Sequence, residues 1–199
     1  MNTLSPILFA LTLGLNVPLM FGGPSADFLF QPMAVWQGEW WRLITHPFVH
    51  ISAYHFILDA GAFFILWTSR PHPHNWSRDL FLFCTCAAGS VIAATWSGIP
   101  SGGFGGLSGI AHGLMVYQGV TVLMMKHEPR SHRIAAATLV CIVIGKACIE
   151  TITGTVFLNS LHAGNIGSPI TACHLGGAVA GALVALARGQ PLKYKSTLA

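Results

Sequence analysis

Five residues able to carry chemistry stand at the openings of three apolar stretches: His55 and Asp59 in one, Ser108 and His112 in the next, His174 in the last. A serine becomes a useful nucleophile when a general base within hydrogen-bond reach takes its proton, and histidine is the side chain most often given that task. Ser108 lies in Gly105-Gly106-Leu107-Ser108-Gly109, after Ser101-Gly102-Gly103-Phe104, at the head of a hydrophobic run. Glycines such as Gly106 and Gly109 let the backbone turn tightly and approach a substrate closely. A helix N-terminus adds unpaired N–H donors and a positive dipole end, both suited to a developing oxyanion. The same string also reads as loop punctuation and helix packing, so it decides nothing alone.

His174 adds to it. The residue sits in Cys173-His174-Leu175-Gly176-Gly177-Ala178-Val179-Ala180-Gly181, where Gly177 and Gly181 form a GxxxG surface, and Gly109 and Gly113 form another just after Ser108. Small residues at that spacing let helices pack backbone to backbone in lipid, which would bring a Ser108 hydroxyl to a His174 ring nitrogen. A lone histidine there also reads as a satisfied structural residue or a haem ligand. His112, four residues after Ser108, shares its helical face; packing on His174, donation toward a substrate and a purely structural role are all open. An ionised Asp59 would repel an oxyanion. It must therefore be neutral, or accept from His55 and orient that ring, unless it only ties its helix to a neighbour. Lys146 and Glu150 lie one turn apart, and charges in a bilayer are costly unless paired; they are expected to neutralise each other in the outer half of their span.

The elements that position these residues are apolar helices. Among 199 residues 53% are hydrophobic and only 8% charged, where a soluble domain carries about 25% charged residues. The chain is therefore expected to lie in a bilayer, with lipid as its surroundings and no nucleic-acid partner, because its ten Lys and Arg separate hydrophobic blocks rather than forming a stripe. Six blocks, roughly 4–22, 53–69, 79–98, 107–125, 134–152 and 170–187, predict six helices in one domain over 1–199. The fold class is all-α, a polytopic six-helix membrane bundle. The first block lacks a basic leader and an AxA site before Pro24 and is kept as a span. Eight of the ten cations (Arg70, Arg78, Lys126, Arg130, Arg133, Arg188, Lys193, Lys195) fall on one side of such a bundle. By the positive-inside rule both termini are cytoplasmic and the polar openings face outward. Trp36, Trp40 and Trp41 suit a loop lying at headgroup depth.

Taken in order, Trp41-Arg42, His46, His50, His55, a polar residue at 59, GxSG around Ser108 and HxxGxxxG from His174 to Gly181 resemble the rhomboid family of intramembrane serine proteases. The resemblance implies Ser108 as nucleophile, His174 as general base and acid, His55 with the Ser108 N–H as oxyanion stabilisers, and His50 as a structural residue holding the loop before the second span. Asp59 stands where the family usually has asparagine, and His112 where it usually has tyrosine. With Ser108 to Gly113 reading SGIAHG and the Lys146 to Glu150 pair, the chain looks like the bacterial rhombosortase branch. That branch implies an inner-membrane enzyme with its site toward the periplasm. Its substrates would be exported proteins bearing a C-terminal Gly-Gly, a hydrophobic helix and a basic tail, with the new C-terminus released or transferred to another nucleophile. No cofactor or metal is implied.

Two other classes compete. His46, His50, His55, His112 and His174 could supply metal or haem ligands, but HExxH is absent and no histidine pair is set at two depths. A transporter would distribute polar residues along a path, whereas these gather on one side. Cys84, Cys86, Cys141, Cys148 and Cys173 read as small buried hydrophobes. His72, His74, His127 and His132 fall on predicted cytoplasmic loops and are expected to be solvated. His162, before the sixth block, is a candidate for the substrate entrance.

Overall fold

A computed structural model describes residues 4–70, 75–166 and 170–188; His72, His74, Lys193 and Lys195 lie outside them. The described residues form helices α1 (Leu4–Asn16), α2 (Pro32–Trp36), α3 (Arg42–Thr45), α4 (Ala53–Thr68), α5 (Trp76–Ser97), α6 (Ser108–Met124), α7 (Arg130–Thr153) and α8 (Ala172–Ala187). Each of the six apolar blocks is thus helical. Local chemistry sets the ends: Ser52 caps α4 by accepting from the His55 N–H at 3.0 Å, and Asn75 caps α5 by accepting from Arg78 N–H at 3.2 Å. α7 begins four residues before the apolar block because Pro129 precedes a helical turn that is charged, and it ends at Gly154 in the left-handed region, φ 66°.

Three helical stretches are long and apolar enough to cross a membrane: Leu4–Phe21, Trp76–Ser97 and Arg130–Thr153. A fourth is gained if the pair Arg42–Phe48 and Ala53–Thr68, bent by 92°, counts as one span. Length thus supports three or four crossings among the described residues, against the six expected. The shortfall lies largely in the inner helices. α6 has 17 residues and rises about 26 Å, less than a hydrocarbon core of about 30 Å.

α6 is the most enclosed helix, with Gly109 through Leu114 buried without interruption. α8 lies against it almost backbone to backbone: a Cβ on Gly177 would stand 1.9 Å from the Gly109 carbonyl oxygen, and one on Gly181 2.0 Å from that of Gly113. α5 meets α8 the same way, with a Gly176 Cβ 2.2 Å from the Gly89 oxygen. Both GxxxG surfaces therefore face each other as their spacing predicted. Below them Phe63, Trp67, Leu82, Leu107 and Leu114 are buried in one core.

The outside carries large apolar side chains, among them Ile65, Ile92, Trp96, Ile142 and Leu183. On a chain this poor in charge, such a surface belongs to a membrane protein. Trp36, Trp40 and Trp41 are exposed on the loop before α4. The cysteines divide: Cys86 and Cys173 are buried, Cys148 is intermediate, and Cys84 and Cys141 are exposed, correcting the expectation that all are interior. A thiol is apolar enough to face lipid.

Candidate active site

A cleft of about 210 Å³ opens between α4, α6, α7 and α8, and Ser108, His174, His55, Asp59, His112, Lys146 and His162 all line it. The loop before Ser108 is held from outside. Phe30 and Phe104 exchange backbone hydrogen bonds of 2.8 and 2.9 Å, and Arg42, buried, donates to the carbonyls of Ala26 and Leu29 at 2.7 Å each. Gly106 sits at φ 115°, where a side chain is strained, and an added Cβ would lie 2.9 Å from Asp59 Oδ2. His46, buried between the rings of Phe30 and Phe104, accepts the Gly106 N–H on its carbonyl at 3.0 Å.

On the α4 side, one carboxylate oxygen gathers the polar groups. Asp59 Oδ2 accepts the Ser108 backbone N–H at 3.1 Å and lies 3.0 Å from His55 Nε2 and 3.6 Å from His50 Nε2. The His55 contact is one an accepting Asp59 would make, and Asp59 also ties α4 to the start of α6. The other His55 nitrogen, Nδ1, is buried without a partner among the described residues. The expected oxyanion donors, Ser108 N–H and His55, thus both face Asp59. His50 is fixed by a residue the sequence reading passed over: Asn16 Oδ1 accepts from the His50 backbone N–H at 2.9 Å and lies 3.2 Å from Nδ1. Burial pushes the His50 imidazole down to about 4 against the pull of Asp59. It stays neutral near pH 7, donating from Nδ1 and accepting the Leu107 N–H on Nε2 at 3.4 Å.

On the α7 side, Glu150 is fully buried, at 0% exposure. Its Oε1 accepts from Lys146 Nζ and from the Phe157 N–H, each at 2.8 Å, and its Oε2 lies 2.7 Å from His174 Nδ1. Three donors and no acceptor is the bonding of an ionised carboxylate. Lys146 and Glu150 do pair, but the pair extends to His174, a link the sequence reading did not make. His112 stacks on His174 with ring centroids 4.1 Å apart and planes 11° from parallel. Its Nδ1 lies 2.8 Å from the Ser108 carbonyl oxygen and its Nε2 3.1 Å from Lys146 Nζ. A carbonyl only accepts and an ammonium only donates, so His112 is the neutral tautomer protonated on Nδ1.

Ser108 Oγ lies 3.9 Å from Cys173 Sγ, and no hydrogen bond joins it to His174. Catalytic hydrogen bonds are often long until substrate binds. His112, Glu150 and His174 bring three ligand atoms within 4.8 Å of one another, the spacing a metal needs. Their bonding suits protons better: the ammonium of Lys146 contacts both His112 and Glu150, and His174 faces Glu150 through the nitrogen that must carry a proton. Gly106, Gly109, Gly177 and Gly181 serve the site through the close approaches already described. His162 lines the cleft beside Tyr54, whose ring centroid is 6.2 Å away. His132 is solvated and lies 2.9 Å from Glu128.

An all-helical membrane protein with a serine, four histidines, a carboxylate and a lysine lining one cleft, and a second carboxylate buried behind it, has the features of an enzyme acting within the bilayer. Residues 37–191, more than half of the chain, match the Rhomboid domain family, and the chain belongs to it. Rhomboid proteins are intramembrane serine proteases that act on transmembrane substrates. A comparison with curated proteins gave no match.

Proposed function

We propose that this protein is an intramembrane serine endopeptidase working through Ser108 and His174, with a rhombosortase-type substrate. The observation that carries the reading is that Ser108, heading α6, and His174, in the first turn of α8, line one cleft between helices locked at Gly109–Gly177 and Gly113–Gly181. In this reading α1, α4, α5, α6, α7 and α8 form the six-helix membrane bundle, the shorter α6 and α8 ending within the bilayer; both termini are cytoplasmic, and the cleft opens to the periplasmic side of a bacterial inner membrane. The brevity of α6 recesses Ser108 below that surface.

Ser108 Oγ attacks the scissile carbonyl carbon as its proton passes to His174 Nε2, and the carbonyl π pair moves to oxygen. That oxyanion takes the place of Asp59 Oδ2 on the Ser108 N–H and on His55. Collapse breaks the C–N bond, His174 returns the proton to the leaving amine, and an acyl-enzyme remains. Water or an amine then attacks the ester, giving up a proton through His174 and freeing Ser108. A Gly-Gly pair before a hydrophobic helix and basic tail suits a narrow cleft walled by Gly103 and Gly105, and it unwinds easily.

Ser108→Ala and His174→Ala are each expected to abolish processing of a Gly-Gly-helix-basic-tail reporter while the protein still accumulates. Wild-type processing by either variant would end the dyad assignment. A reporter with Gly-Gly replaced by Leu-Leu, cleaved as fast as the original, would leave a general rhomboid protease of other transmembrane substrates in its place.

A further inference from the structure

A Ser-His pair needs its imidazole in one tautomer, with the bare nitrogen toward the serine. His174 has a partner for the other nitrogen, Glu150 Oε2 at 2.7 Å. That carboxylate is held from two directions, because Lys146 Nζ and the Phe157 N–H both donate to Oε1 at 2.8 Å. Neutralising Lys146 occupies one oxygen; among the described residues, the other oxygen bonds His174, on a different helix. The ring cannot tilt freely either, since His112 stacks on it at 4.1 Å and is itself held by the Ser108 carbonyl and Lys146.

We infer that Glu150 is a positioning residue for His174, making the site a Ser108-His174-Glu150 relay with Lys146 as the clamp on the carboxylate; the inference rests on the dyad proposed above. Glu150 fixes the proton of His174 on Nδ1, leaves Nε2 to take the Ser108 proton, and stabilises the imidazolium formed when it does. Glu150 is not protonated in the step.

Glu150→Gln tests this because of where the donors sit. Lys146 and Phe157 hold the amide oxygen at the Oε1 position, which turns the NH2 toward His174 Nδ1 and selects the wrong tautomer. With the Gly-Gly reporter in bilayers, kcat is expected to fall about 10²- to 10⁴-fold while KM changes by less than about threefold. Lys146→Met with Glu150→Gln removes both charges and controls for an uncompensated lysine; it is expected to stay as slow as Glu150→Gln. A kcat within threefold of wild type in Glu150→Gln, or recovery of wild-type kcat in the double variant, overturns the inference. Ser108→Ala and His174→Ala run in parallel separate the two claims: if both are inactive and Glu150→Gln is not, the dyad stands and the relay falls.

Discussion

Asp59 on α4 and Glu150 on α7 are two acidic side chains serving one cleft, and they do different work. Asp59 meets the Ser108 N–H and His55 on a single oxygen, Oδ2. Glu150 uses both oxygens, one for Lys146 and Phe157 and the other for His174. An imidazole takes its tautomer from its partner, so each carboxylate bears on where a proton sits, on His55 or on His174. Asp59 does so with the same oxygen that takes the Ser108 N–H, whereas Glu150 needs a second oxygen for it, because Lys146 and Phe157 hold the first. The lesson is that a carboxylate is replaceable by its amide where it offers one accepting oxygen, and irreplaceable where both oxygens must accept.

The largest blow to the Asp59 side should come from Gly106→Ala, which forces a Cβ into the left-handed region at 2.9 Å from Asp59 Oδ2. Strain of about 1–3 kcal/mol and displacement of the oxyanion donors are expected to lower kcat/KM by about 10² or more. Gly145→Ala, with open space around its Cβ, is the silent control. Asp59→Ala, which strips the Ser108 N–H and His55 of their acceptor, should cost about 10- to 100-fold in kcat/KM on the same reporter. His112→Phe keeps the stack on His174 and loses the bonds to Ser108 and Lys146; a loss of about tenfold is expected, and one of 10³ would place His112 in the chemistry itself. Smallest of all should be Asp59→Asn, within about threefold of wild type, because the amide oxygen can sit at Oδ2 and accept both donors. A collapse there as deep as in Glu150→Gln would erase the distinction between the two carboxylates.

Much of this was legible in the sequence. GxxxG spacing told which faces of α6 and α8 touch, and the residues opening three apolar blocks told where polar side chains gather. The Glu150–His174 link was not legible, because it joins two helices whose crossing no local pattern sets, and because Lys146 at one turn's distance already accounted for the charge. Asn16 left a fainter signal, an amide at the end of an apolar helix. Its two donor bonds, 2.6 Å to the carbonyls of Thr12 and Phe48, show why it stands there. Hydropathy finds apolar blocks but not their lengths in space, so six blocks could not foretell that α6 and α8 are shorter than a bilayer crossing.

The central claim is that Ser108 is a nucleophile activated by His174. Labelling the bilayer-embedded protein with a serine-reactive fluorophosphonate, followed by peptide mapping, tests it most directly. The label is expected on Ser108 in the wild type, and at a rate at least about 10²-fold lower in His174→Ala. Modification elsewhere with Ser108 untouched, or an unchanged labelling rate without His174, would contradict the account.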